Sequence, residues 1–269
     1  MIGWDHPATA QRYERYYRRH ARYRTANEVL VREAALVPGL HVLDMGAGTG
    51  RTAAAALPAL GPDGSVVCVE PAAAMRAVGR RRLEDPRVEW RSELAPADER
   101  YDRVLCGASL WLFGPLGDWI HRFAGLLHPG GALCFDIPAL YVGEPDEPGG
   151  GGDPLLLDLP VRLAEMGERG DSAGVATAPD VPATSWNHTA SDVEAMLRSA
   201  GFEPHSWTFR IRLTQTSYAR WLTIPVLTNR LFPETAAGER DLRIERALAT
   251  VDRRSFKWER WRGWTAWKR

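Results

Sequence analysis

Three glycines at alternate positions, Gly46, Gly48 and Gly50, follow the apolar run His41 to Met45 and precede an alanine-rich stretch. Bare backbone between a strand and a helix permits positive φ and lets a ligand lie against the main chain at the helix start. In a dinucleotide site the third glycine follows a two-residue gap, whereas here it comes one residue early. Asp44, just ahead of the loop, would repel a pyrophosphate and attract an ammonium. Glu70 closes the next apolar run, 24 residues beyond Gly46, where a carboxylate can accept both hydroxyls of a ribose. A zwitterionic adenosine ligand lacking phosphate satisfies both charges.

Other chemistry is sparse. The seven histidines show no metal-ligand spacing; His121 and His128 are seven apart and the rest are scattered. His6, His20 and His188 lie in segments that could approach a substrate, though structural roles are the plainer reading. Cys106 has no histidine placed to activate it. Cys68, Cys106 and Cys134 each sit in an apolar run of buried-strand character, and an odd count suits a reducing compartment.

The elements around the loop must supply its rigidity. Pro7 to about Leu36 reads as two amphipathic helices, aromatic on one face through Tyr13, Tyr16, Tyr17 and Tyr23. On the other face Arg12, Arg15, Arg18, Arg19, Arg22 and Arg24 form a solvated side. Strand His41 to Met45, helix Thr52 to Leu60 and strand Ser65 to Val69 follow. The alternation continues with helix Ala72 to Leu83, strands Val88 to Arg91 and Arg103 to Gly107, helix Asp118 to Leu127 and strand Ala132 to Phe135. Such alternation predicts an α/β fold with parallel pairing. Residues 139–190, rich in glycine and proline and holding the apolar stretch Leu155 to Leu159, read as an insertion near the site. A capping box at Ser191 and Glu194 starts a helix that ends at Gly201. Strand Ser206 to Leu213, a helical segment at 217–252 broken by Pro225 and Pro233, and strand Trp261 to Trp267 complete the chain. The organisation is thus a helical lid at 1–38, an α/β core at 39–138, the insertion, and completion of the core at 191–269.

With 269 residues, 45% hydrophobic and 25% charged, the composition is globular. Thirty-four basic residues, all but two of them arginine, balance thirty-four acidic ones, so no net charge draws the whole chain to nucleic acid or an anionic membrane. No stretch approaches the roughly 20 apolar residues of a membrane span, and the amino terminus carries no charged-then-apolar leader, so a cytoplasmic location is expected. Oligomeric state leaves no mark in the sequence.

Five segments together resemble the class I S-adenosylmethionine-dependent methyltransferases of the small-molecule type. Val42 to Gly50 is similar to their first motif and Val66 to Pro71 to the acidic end of their second strand. Tyr101 to Gly107 with Trp111 resembles the fourth strand and the loop behind the methyl donor. Leu126 to Gly131 resembles the turn before the fifth strand, and Leu197 to Phe202 the late helix-to-strand junction. The match spans about 40–138 and 191–213. The resemblance implies a Rossmann-like, seven-stranded, mostly parallel sheet with helices on both faces and an antiparallel last strand. It implies S-adenosylmethionine as cofactor, with Asp44, Gly46, Ala47 and Gly48 around its amino-acid end, Glu70 on the ribose, and Pro71 and Met75 flanking adenine. Cys106, Gly107 and Trp111 would back the sulfonium, Tyr13 would serve as a lid tyrosine and Glu93 as adenine partner. At that last position the family's Gly-Asp-Ala is replaced by Arg91-Ser-Glu93-Leu-Ala.

The acceptor walls should come from the first helices, the insertion and the 217–252 segment, which carry Tyr13, Tyr16, Tyr17, Tyr141, Trp186, Tyr218 and Trp221. That aromatic supply predicts an aromatic or otherwise bulky small-molecule acceptor of secondary-metabolite type, with Tyr17 and Tyr141 as substrate contacts. Three readings stay open beside it: an RNA or protein methyltransferase, supported by the basic first helix; a protein that binds the donor without transferring methyl; and a nicotinamide site.

Overall fold

The computed structural model describes residues 3–94, 99–149, 188–231, 236–252 and 254–269. Trp186, Leu155 to Leu159, Pro233 and most of the expected insertion lie outside them. The chain divides into two compact units, one of residues 23–144, 184–209 and 261–269, the other of residues 1–22, 145–183 and 210–260. Among the described residues no helix is long and apolar enough to cross a membrane.

The larger unit is the α/β body. Its elements are α2 (Arg22–Glu33), β1 (His41–Met45), α3 (Arg51–Leu60), β2 (Ser65–Val69), α4 (Ala73–Arg82), β3 (Val88–Arg91), β4 (Tyr101–Gly107), α5 (Leu116–Leu126), β5 (Leu127–Pro138) and α6 (Ala190–Ser199). The strands β3, β2, β1, β4 and β5 lie in that spatial order and all pair in parallel. Two long strands finish the sheet, β7 (Phe202–Thr214) and β8 (Phe256–Lys268). β8 runs antiparallel to β5, with Asp136 opposite Gly263, and β7 pairs with β8. An eighth strand, the two-residue β6 (Glu147–Pro148), pairs with the beginning of β8.

Period-two alternation sorts the strand side chains onto two apolar faces. Leu43, Val67, Val104, Leu133 and Phe135 pack with Ile120 and Phe123 of α5 and Leu197 of α6. Val42, Val66, Cys68, Leu105 and Cys134 pack with Leu30 of α2 and Ala53 and Ala56 of α3. Helices therefore cover both faces, and the strands read as continuous apolar runs because neither face meets water. On the second face Arg103 is buried and donates to Ala34 O (2.9 Å) and Ala35 O (3.3 Å), closing carbonyls at the end of α2.

Three expectations need correction. The capping box belongs to Thr189 and Asp192, with Asp192 N–H donating to Thr189 Oγ1 at 3.2 Å and Thr189 N–H to Asp192 Oδ2 at 2.8 Å. Glu194 instead pairs with Arg198 one turn on, so α6 starts earlier than the Ser191 pattern suggests. The last strand begins at Phe256, five residues before the expected Trp261, and the sheet gains β6 as an eighth strand.

The smaller unit holds α1 (Pro7–Arg19), α7 (Gln215–Leu222), α8 (Pro225–Leu231) and α9 (Ala237–Ala249) with the remaining parts of β7 and β8. Its core is Leu213, Tyr218, Leu222, Ile244, Leu248 and Val251. The arginine run is not uniformly solvated. Arg22 is buried in a bidentate pair with Glu259 (Nε to Oε2, 2.7 Å) and lies over the Trp221 ring, and Arg12 pairs with Asp241 at 2.7 Å. A second buried pair, Lys257 with Asp146 at 2.7 Å, lies below the Tyr218 ring. Buried ions persist only when matched, since an unpaired one carries its full desolvation cost.

Candidate functional site

At the carboxyl end of β1 the chain turns sharply enough to need glycine. Gly46 has φ +71°, and a Cβ there would stand 2.6 Å from Ser109 Oγ. Ser109 itself donates to Met45 O at 3.2 Å, so the loop after β4 rests directly on the glycine loop. Gly50, the N-cap of α3, lies against the Trp90 ring, which would meet a Cβ at 2.7 Å. From α4, Arg82 grips the loop's outer carbonyls, Thr49 O at 2.8 Å and Gly50 O at 2.5 Å.

The loop amides turn inward. Gly46 N–H and Ala47 N–H both donate to Val69 O, at 2.9 and 3.1 Å, and Gly48 N–H donates to Glu70 Oε2 at 2.7 Å. Glu70 Oε1 accepts from Ala72 N–H at 2.8 Å. The carboxylate of Glu70 is buried, 8% exposed, and bridges the glycine loop to the start of α4. Arg76 fixes its main chain by donating to Glu70 O and Pro71 O.

Asp44 is 1% exposed. Gly50 has no side chain to cap α3, and Asp44 takes over that duty from the strand, its Oδ2 accepting from Ala53 N–H at 3.1 Å. Burial is the main reason its carboxyl is raised to about 7; the Ala53 amide opposes the shift and the neighbouring Glu70 charge adds to it. Asp44 and Glu70 thus share one electrostatic neighbourhood at the crest of β1 and β2.

The other expected contacts in this unit fall around that crest. Ala47 and Met75 are buried, with Met75 Cε 3.4 Å from where a Cβ on Gly48 would stand, and Pro71 is exposed at the start of α4. Cys106 is buried, its Sγ 3.2 Å from Ser109 Oγ, and burial drives its thiol far upward, which leaves it a poor nucleophile. Gly107 ends β4 beneath Thr52 and Asn27. Trp111 donates from Nε1 to Ala108 O at 2.9 Å and stacks on Tyr141, with centroids 5.2 Å apart. Glu93 is exposed in the bend after β3.

Tyr13 and Tyr17 belong to the other unit. There Tyr13 sets its ring edge to Trp4, and Tyr17 is buried on α1 beside Tyr16, whose hydroxyl bonds Ser217 Oγ at 3.0 Å.

Two residues escaped the sequence reading. Ser109 couples the β4 loop to β1 but carries no distinguishing spacing. Asp136, near the end of β5, is fully buried, and its Oδ1 accepts from Ala108 N–H at 2.8 Å. Its Oδ2 is buried with no hydrogen-bond partner among the described residues. Its signal was present: a single carboxylate inside the apolar run Leu133-Cys-Phe-Asp-Ile137.

Residues 42–131, from β1 into β5, match the family described as Methyltransferase domain. No curated protein matches the chain in sequence. Among solved structures, YcgJ from Bacillus subtilis is 15% identical, with a TM-score of 0.56 over 91% of this chain and 99% of that one. A methyltransferase candidate from Bacillus halodurans is 18% identical, with a TM-score of 0.55 and the same coverage, 91% and 99%. Precorrin-6y C5,15-methyltransferase from Geobacter metallireducens is 15% identical, with a TM-score of 0.50 over 90% of this chain and 88% of that one. At these identities the structures speak for the fold, while the domain match lies on the strands and loop that build the crest. Residues 42–131 thus carry a methyltransferase domain, set in a fold shared with these structures.

Proposed function

We propose that the crest of β1 and β2 binds S-adenosylmethionine and that its methyl group is transferred to a small, aromatic or bulky acceptor of secondary-metabolite type. The observation that carries the donor half is the inward turn of the loop amides. Gly46, Ala47 and Gly48 spend their N–H groups on Val69 O and Glu70, so they make no anion nest for a pyrophosphate. Two buried carboxylates lie beside them. That donor set suits a ligand with an ammonium and a ribose diol and no phosphate, and it disfavours a dinucleotide.

In this reading Asp44, Gly46, Ala47 and Gly48 surround the amino-acid end of the donor. Glu70, held by Gly48 N–H and Ala72 N–H, takes the ribose hydroxyls. Pro71 and Met75 flank adenine with Glu93 at its rim, and Cys106, Gly107 and Trp111 back the sulfonium. Tyr13 acts as a lid residue, and Tyr17 and Tyr141 touch the acceptor. When bound, the donor supplies an electrophilic methyl on a cationic sulfur. The protein's own work is to hold the two reactants in line and to exclude water. A small acceptor is preferred over nucleic acid because two arginines of the basic first segment, Arg12 and Arg22, are committed to Asp241 and Glu259. A cytoplasmic setting completes the proposal.

Mass spectrometry of the full chain with the donor and a metabolite extract of the native host tests the acceptor half. A small product heavier by one methylene is expected. Label recovered only in RNA or protein would redirect the assignment to a macromolecular acceptor.

A further inference from the structure

On the reading that this crest binds the donor, we propose that Asp136 is a catalytic base which receives the proton of a hydroxyl or amine acceptor through its unpartnered Oδ2. The strand register sets the location. Asp44 of β1 is level with Leu105 of β4, and Gly107, two residues further along β4, is level with Asp136 of β5. Neighbouring strands are about 4.8 Å apart, so Asp136 stands about 10 Å from the glycine-loop strand. A donor methyl over the end of β4, followed by one acceptor atom, spans such a gap.

The surroundings of Asp136 leave that buried oxygen without a polar partner of its own. On both sides its paired residues are glycines, Gly107 on β4 and Gly263 on β8, so neither strand neighbour gives it a polar side chain, and Thr52, Leu30 and Asn27 close over Gly107. Over Gly263 the Trp207 ring closes the far side. Ala108 holds φ +50°, costly for a residue with a Cβ, and in that conformation gives its N–H to Oδ1. One oxygen is thereby fixed while Oδ2 is left with an unused lone pair in a dry place, a condition a folded chain seldom tolerates without purpose. The cation next in register on β8, Arg262, is occupied by Glu144 at 2.7 Å. Burial raises the Asp136 carboxyl to about 7, against the opposing pull of the Ala108 amide, which suits a group that must take up and release a proton near neutrality.

The step balances. The acceptor's heteroatom forms its bond to the methyl carbon as the carbon–sulfur bond breaks, and the neutral thioether keeps that electron pair. The heteroatom's proton passes to Asp136 Oδ2 and from there to solvent when product leaves.

The test needs no knowledge of the acceptor. The full chain and Asp136→Asn are titrated calorimetrically with S-adenosylhomocysteine, neutral at sulfur, and with sinefungin, which carries an ammonium-bearing carbon in its place. A carboxylate facing the transfer position should make the wild type prefer sinefungin by at least about tenfold. Asp136→Asn should lose that preference while binding S-adenosylhomocysteine within about twofold of wild type. If that variant fails to fold, Asp136→Ser, which keeps an acceptor for the Ala108 amide, takes its place. Absence of a preference in the wild type, its survival in the variant, or an equal loss for both ligands in a folded variant would overturn the assignment. A wild-type chain that binds neither ligand would overturn instead the donor-binding reading beneath it.

Discussion

At the carboxyl ends of β1 and β2 the polar atoms are anchored by the chain itself: Glu70 ties Gly48 to Ala72, Asp44 caps α3, and Val69 O takes two loop amides. At the ends of β4 and β5, two strands away, one carboxylate oxygen of Asp136 is left over and the adjoining Ala108 is strained. Both regions are buried and both contain a carboxyl raised to about 7. They differ in preorganisation against reserve. On the proposed reading the first is a rigid seat for the donor, while the second keeps a hydrogen-bonding valence open. A seat must not rearrange, whereas a group that handles a proton must have somewhere to put it.

The largest expected effect strikes the seat. Gly46→Val would force a β-branched residue to φ +71° with its Cβ within 2.6 Å of Ser109 Oγ. Strain of roughly 1–3 kcal/mol, concentrated at the ligand, should lower affinity for S-adenosylhomocysteine by roughly tenfold to a hundredfold, read by calorimetry on protein whose circular dichroism is unchanged. Unaltered affinity would remove Gly46 from the seat.

Next in size is a pH effect that treats the two regions alike. Unfolded, each aspartate releases its proton near pH 4, whereas the folded chain retains it to about 7 on Asp44 and Asp136. Between those values the folded state binds more protons, so these two groups make stability fall as pH rises from about 4 to 7. Denaturant melts across that window should show a shallower decline in Asp44→Asn and in Asp136→Asn than in wild type. An identical slope in all three proteins would mean that neither carboxyl is raised by burial.

The smallest effect concerns the clamp behind the loop. Arg82→Ala removes the bonds to Thr49 O and Gly50 O without touching the ligand face, and a few-fold loss of donor affinity is expected. Arg82→Lys should restore part of it. A loss as large as that of Gly46→Val would place Arg82 in contact with ligand and blur the division between seat and support.

How much of this was readable beforehand follows from locality. β1 and β2 coincide with the apolar runs His41 to Met45 and Ser65 to Val69, because glycine and proline bracket them and both faces are buried. The glycine loop and its two acidic neighbours were visible for the same reason. Asp136 is easily passed over, since a lone charge after Phe135 reads as a strand end although Ile137 continues the apolar run, and the pairing with Gly107 and Gly263 shows that the strand continues past it. Arg22 looked like one more solvated arginine because its partner, Glu259, lies 237 residues away. The cap of α6 was misplaced because Thr189 with Asp192 and Ser191 with Glu194 satisfy the same four-residue pattern, and geometry alone chooses between them.

The central claim is that β1 and β2 present a preformed seat for a phosphate-free, charged nucleoside. Its most direct test is a calorimetric titration of the full chain and of Glu70→Ala with S-adenosylhomocysteine, with NAD as comparison ligand. The account predicts saturable one-site binding of S-adenosylhomocysteine by the wild type, weakened at least about tenfold in the folded variant, and no binding of NAD. Tight binding of NAD, or equal affinity for S-adenosylhomocysteine in wild type and Glu70→Ala, would contradict it.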